Sequence, residues 1–116
     1  MKSDIFTPGH VPISGIVRKL ALAAAGTVVV PQGASVVAVY VRSKNANAVT
    51  GGIKVGTTLG GTDVLAAGAV AGSALATFFL TNGFPSAVGD RTLYIDAVTA
   101  WNSASLDIAV EYVVLV

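Results

Sequence analysis

A chain of 116 residues without cysteine is sized for one domain, long enough to build a core without metal or disulfide staples, and no thiolate chemistry is open to it. Only 11% of its residues are charged, against about 25% in ordinary soluble domains, while 53% are apolar. A net charge of +1, with Arg18-Lys19 as the only adjacent basic pair, argues against the clustered basic face of a nucleic-acid binder.

The first twelve residues carry Pro8, Gly9 and Pro12 and read as an extended arm, leaving residues 13–116 as the folded domain. The run VRKLALAAAGTVVV, residues 17–30, imitates a signal or membrane segment. Its charges lie too far from Met1, its apolar stretch is shorter than the roughly 20 residues a spanning helix needs, and Gly26-Thr27 interrupt it, so no targeting or membrane segment is expected. Val28 to Val30 begin the strand signals, and Pro31-Gln32-Gly33 is a turn. SVVAVYVRS, residues 35–43, is dense in β-branched and aromatic residues, as in a strand covered on both faces.

TGGIKVGTTLGGTDV, residues 50–64, holds five of the thirteen glycines. Gly51 and Gly56 have the spacing of a phosphate loop, but Thr57 stands where its lysine must be, and a strand rather than a helix is expected to follow. As a calcium loop the stretch offers one carboxylate, Asp63, where calcium takes several. The expectation is a short strand with Ile53 and Val55 inward and Lys54 outward, then a hairpin turn at Leu59-Gly60-Gly61-Thr62 whose glycines permit positive φ.

VLAAGAVAGSALA favours strand, turn and strand over a helix, since Gly68 and Gly72 would each cost a helix about 1 kcal/mol. A strand over residues 74–81 is closed by Asn82-Gly83 and Pro85. TLYIDAV places Leu93, Ile95 and Ala97 on one face and Thr92, Tyr94 and Asp96 on the other. SLDIAVEYVVLV does the same with Leu106, Ile108, Val110 and Tyr112 against Asp107, Ala109 and Glu111. Seven or eight short strands without an amphipathic helix predict an all-β single domain, an antiparallel sandwich or jelly roll with an extended N-terminal arm.

Little of this looks like chemistry. His10, the only histidine, lies in the arm, no nucleophile elbow exists, and Asp4, Asp63, Asp90, Asp96, Asp107 and Glu111 form no defensible pair. No catalytic residue, metal or cofactor is expected. Trp101, in the loop before the last strand, can plug the core, meet another subunit or stack on a sugar; Tyr94 and Tyr40 are the other candidate stacking platforms. The apolar excess points to burial against neighbours by oligomerisation or assembly, the alternative being alanines and valines scattered harmlessly over a monomer.

NANAVTGGIKVGTTLGGTDV, residues 45–64, and YIDAVTAWNSASLDIAVEYVVL, residues 94–115, resemble segments of small bacteriophage virion proteins of the capsid decoration (cement) or head-fibre type. The shared pattern is an asparagine-rich turn, a T-G-G-hydrophobic-K-hydrophobic-G-T-T strand, a G-G-T-D turn, and a closing Y-I-x-A-V-x-x-W-N segment with a final alternating strand. The resemblance covers well under half of the chain, and the arm carries none. It implies a non-enzymatic structural protein made in the host cytoplasm, binding the major capsid protein on the outer surface of the head, as a homo-oligomer with a trimer favoured over a dimer. No nucleic acid or membrane partner is implied. The contacts are expected in the arm, at Ile5, Phe6, Pro8, His10, Val11 and Pro12, and on the apolar strand faces. The competing expectation is a carbohydrate-binding module of a tail fibre or host-recognition complex.

Overall fold

The computed structural model describes residues 12–80 and 88–115. These form eight strands, β1 (Pro12–Leu22), β2 (Gly26–Val30), β3 (Ala34–Ser43), β4 (Ile53–Gly56), β5 (Leu65–Gly68), β6 (Leu75–Phe79), β7 (Arg91–Ala97) and β8 (Leu106–Leu115). All pair antiparallel in two four-stranded sheets, β1-β8-β3-β6 and β2-β7-β4-β5. Leu106, Ile108 and Val110 from one sheet and Leu93, Ile95, Ile53 and Val55 from the other bury between them, following the two-residue alternation of the sequence.

The strand order has one generating rule. β1 pairs with β8, β2 with β7, β3 with β6 and β4 with β5, so the chain is a long hairpin doubled back on itself. Rolling that hairpin brings β8 against β3 and β7 against β4, which makes the sandwich a jelly roll. The tip of the hairpin is the glycine-rich loop between β4 and β5. Gly60 there takes φ +74°, whereas Gly61 keeps an ordinary φ and donates its N–H to the Thr58 carbonyl at 2.8 Å. Asp63 clamps the neck, accepting the Thr57 N–H at 2.8 Å and the Thr57 hydroxyl on its second oxygen.

The run over residues 17–30 is the end of β1, a short turn and β2. None of the described residues lies in a helix long and apolar enough to cross a membrane. β1 pairs regularly from Pro12↔Leu115 to Lys19↔Ile108 and then slips before Leu22↔Leu106. Ala21 absorbs the slip with φ +54°, and its N–H bonds to Asp107 Oδ1 at 2.9 Å. Pro12, expected as the last residue of the arm, is the first residue of β1; residues 1–11 lie outside the described part of the chain.

Two glycines allow close approaches that any side chain would block. Gly15 on β1 faces Tyr112 on β8, and a Cβ there would lie 2.3 Å from the Tyr112 hydroxyl oxygen. Gly68 on β5 leaves room for the ring of Phe78 on β6, whose tip would be 2.6 Å from an added Cβ. The second contact joins the edge strands of the two sheets and closes that side of the sandwich.

Candidate docking surface

In the β1-β8-β3-β6 sheet, the residues that alternate away from the core form cross-strand rows. Ile16, Glu111, Ala38 and Phe79 are in register across the four strands, and so are Arg18, Ala109, Tyr40 and Thr77. A third row holds Asp107, Arg42 and Leu75, with Leu20 at its β1 end. Edge strands therefore bring the large apolar side chains and inner strands the polar ones. Ile16, Leu20, Leu75 and Phe79 are 56%, 63%, 67% and 73% exposed, which makes them half of the exposed large hydrophobics among the described residues. Single exposed apolar residues are ordinary, but four on one sheet face are a patch.

The polar centre is internally satisfied. The Tyr40 hydroxyl donates to Glu111 Oε1 at 2.7 Å, and the Tyr40 ring meets Phe79 edge-on at 6.4 Å between centroids. The hydrogen bond to Glu111 raises the Tyr40 pKa above the usual phenol value, with desolvation and the carboxylate charge adding to it. Arg42 donates to Asp107 Oδ2 at 2.7 Å, and Lys44 Nζ lies 3.8 Å from Oδ1. Asp107 is held below the usual carboxylate range, first by Arg42 and then by the Ala21 N–H. Because Ala109 is small and sits between Arg18 and Tyr40, the face dips there into a shallow depression of about 250 Å³ floored by Ala109 and walled by Leu20, Tyr40, Arg42 and Leu75. Arg18, on its rim, has no acidic partner among the described residues.

The residues singled out in the sequence are dispersed, with Pro12 opening β1. Ile5, Phe6, Pro8, His10 and Val11 lie outside the described residues. Tyr40 belongs to the face just described. Tyr94 lies on β7 with its side chain directed away from the core of the other sheet, between Thr27 and Gly56 in register. Trp101 packs against the core, and its indole N–H donates to Asp96 Oδ1 at 2.9 Å. The three aromatics thus divide between opposite sides of the sandwich and share no stacking platform. Ile16, Leu20, Leu75 and Phe79 were not singled out by name, because β1 and β6 are at opposite edges of the sheet and only β8 and β3 between them put their side chains on one surface.

The two segments that carry the family resemblance meet in space. Asn45 and Asn47 donate their side-chain amides to the Ser103 carbonyl at 3.0 and 3.2 Å, and Asn102 donates to the Ala48 carbonyl at 3.3 Å. Thr50 and Ala100 form a bridge beside them. Asparagines here staple two loops at one end of the sandwich, a structural use of the motif. No group of three or more metal-ligating side chains occurs among the described residues.

No protein-family model matches the chain, and no curated protein matches it. Its fold does match solved structures. A chain in the structure described as "Acidic stable capsid structure of Helicobacter pylori bacteriophage KHP30" superposes with a TM-score of 0.53 at 15% identity, covering 90% of this chain and 95% of that one. A chain in "Cyanophage Pam1 capsid asymmetric unit" aligns over 89% of this chain and 83% of that one at 26% identity, with a TM-score of 0.46. What the first match shows is a shared fold along nearly the whole of both chains.

Proposed function

We propose that this chain is a non-enzymatic structural protein of a bacteriophage virion, seated on the outer surface of the head through the outward face of its β1-β8-β3-β6 sheet. The observation that carries it is the exposed set Ile16, Leu20, Leu75 and Phe79 around a polar centre whose hydrogen bonds are already made. At about 1.5–3 kcal/mol for full burial of each such side chain, their exposed fractions make roughly 4–8 kcal/mol available to a partner before association costs. The match in fold to a chain of a phage capsid structure and the low charge of the chain support this assignment. The N-terminal arm, with Ile5, Phe6, Pro8, His10 and Val11, together with Pro12 at the start of β1, extends the contact along the major capsid protein. A protein that binds only the assembled shell stabilises it by mass action, with no chemistry required.

Co-sedimentation with purified heads lacking the protein tests this. The wild type should pellet with heads, and deletion of residues 1–11 should abolish pelleting while the domain stays folded. Leu20→Ser removes an exposed side chain that leaves the fold intact, and it should weaken head binding by roughly 5- to 30-fold. Unchanged binding by both variants would remove the arm and the sheet face from the interface. A positive glycan array with no head binding would transfer the function to carbohydrate recognition.

A further inference from the structure

The outer edge of β6 is unpaired among the described residues. The N–H of Ser43 bonds to the Ala74 carbonyl and that of Leu80 to the Val37 carbonyl, both at 2.9 Å. In an antiparallel ladder this phase assigns the backbone groups of Ala76 and Phe78 to β3. Those of Leu75, Thr77 and Phe79 point the other way, and among the described residues nothing meets them.

Natural sheets blunt such edges with charges, proline or bulges. The opposite edge of the same sheet has all three: Pro12, Arg18-Lys19 and the slip after Lys19. β6, with the sequence LATFF, has none. β2 is also an uncharged edge, but it presents one large exposed apolar side chain, Val29, where β6 presents Leu75 and Phe79.

We infer that β6 is a homodimer edge, pairing antiparallel with β6 of a second copy across a two-fold axis at Thr77. The register follows from which groups are free. Thr77 faces Thr77 of the second copy, and Leu75 faces Phe79 of the second copy on both sides of the axis. Each of these three facing pairs exchanges two hydrogen bonds, which makes six and uses every free group on the edge. The sequence is self-complementary in that register. An aliphatic side chain meets an aromatic one, a favourable cross-strand pair, and no like charges come opposite one another. An edge-to-edge β1 dimer would instead bring Arg18 and Lys19 of both copies together.

The two sheets then form one eight-stranded sheet with the order β1-β8-β3-β6-β6-β3-β8-β1, and the two outward faces fuse into one. This goes beyond the virion assignment and does not depend on it. It selects the dimer, the less favoured of the two homo-oligomers that the family resemblance implies.

Sedimentation velocity of the full chain in the absence of heads tests it. The wild type should sediment as two copies. Thr77→Lys and Thr77→Glu each place two like charges face to face on the axis, on an exposed side chain that the fold does not use, and each should sediment as a single copy. Mixing the two variants should restore a two-copy species containing one of each. A wild type that sediments as one copy or three overturns the inference. So do variants that remain paired, or a mixture that stays single. Head binding is read separately by Leu20→Ser on the far edge of the sheet, so failure of either proposal leaves the other standing.

Discussion

Removing the Asp96 carboxylate should loosen Trp101 and lower stability by a measurable amount. Asp96 Oδ1 accepts two hydrogen bonds, from the Ala97 N–H at 2.7 Å and from the Trp101 indole N–H at 2.9 Å. Hydrogen bonds to a charged acceptor are worth about 1.5–3 kcal/mol when their loss strands the donor. Asp96 and Trp101 are half-buried, so water can reach part of the vacated site, and Asp96→Ala should cost about 1–2 kcal/mol. For a domain of this size that is a fall in Tm of roughly 4–8 °C. Trp101 is the only tryptophan, so its fluorescence reports on the same event without interference. The Asp96→Ala emission should shift to the red as the indole N–H meets water. Asp96→Ala introduced into a Trp101→Phe background should cost about 1 kcal/mol less than in the wild type, because one of the two donors is already gone. An unchanged Tm with unshifted emission, or full additivity of the two changes, would refute the claim that this bond anchors the loop before β8.

Gly68→Ala should destabilise the domain by about 1–3 kcal/mol in urea unfolding, since its Cβ would meet the Phe78 ring across the two edge strands. Gly15→Ala should cost a similar amount by displacing the Tyr112 ring, and near-ultraviolet circular dichroism should register the displacement. Asp107 and Asp63 are both held below the ordinary carboxylate range, Asp107 by Arg42 and Asp63 by the Thr57 hydroxyl and N–H. Their stabilisation is therefore present above the unfolded value of about 3.9 and is lost as pH falls through the depressed folded values, so Asp107→Asn should flatten the acid limb of a stability-against-pH curve. Tyr40 has the opposite sign: its raised pKa contributes stability that is present below about pH 10 and lost as pH rises through the folded value. The alkaline absorbance titration of Tyr40→Phe should lose a component that ionises above the usual phenol range.

The fold was legible wherever side-chain alternation was unbroken. In β7 and β8 every second residue from Leu93 and from Leu106 is apolar, and Leu93, Ile95, Leu106, Ile108 and Val110 are all buried. Glycine at residues 68 and 72 argued correctly against a helix in the alanine-rich stretch, which forms β5, a turn and β6. β1 was not legible, and the reason is physical. Its alternation is interrupted at Ala21, where a residue at positive φ shifts the register, and what holds that conformation is Asp107, 86 positions away. No local pattern encodes a slip that a distant side chain stabilises.

The candidate docking face was hidden for a related reason. Ile16 and Leu20 sit next to Arg18 in β1, and Leu75 and Phe79 flank Thr77 in β6, so each strand alone shows only two apolar residues on its solvent side. They become one surface because the rolled hairpin inserts β8 and β3 between the edges, with Ala38 and Ala109 low enough to leave the larger side chains standing proud. The self-complementarity of β6 is different again. It depends on which backbone groups β3 leaves unused, and that phase is fixed by two hydrogen bonds just beyond the ends of the strand, from Ser43 and from Leu80. Composition pointed to apolar surface covered by neighbours, with a harmless scatter over a monomer as the alternative; only the strand order and the phase of the ladder place two of the large exposed side chains, Leu75 and Phe79, on an edge strand whose outward backbone groups meet nothing among the described residues.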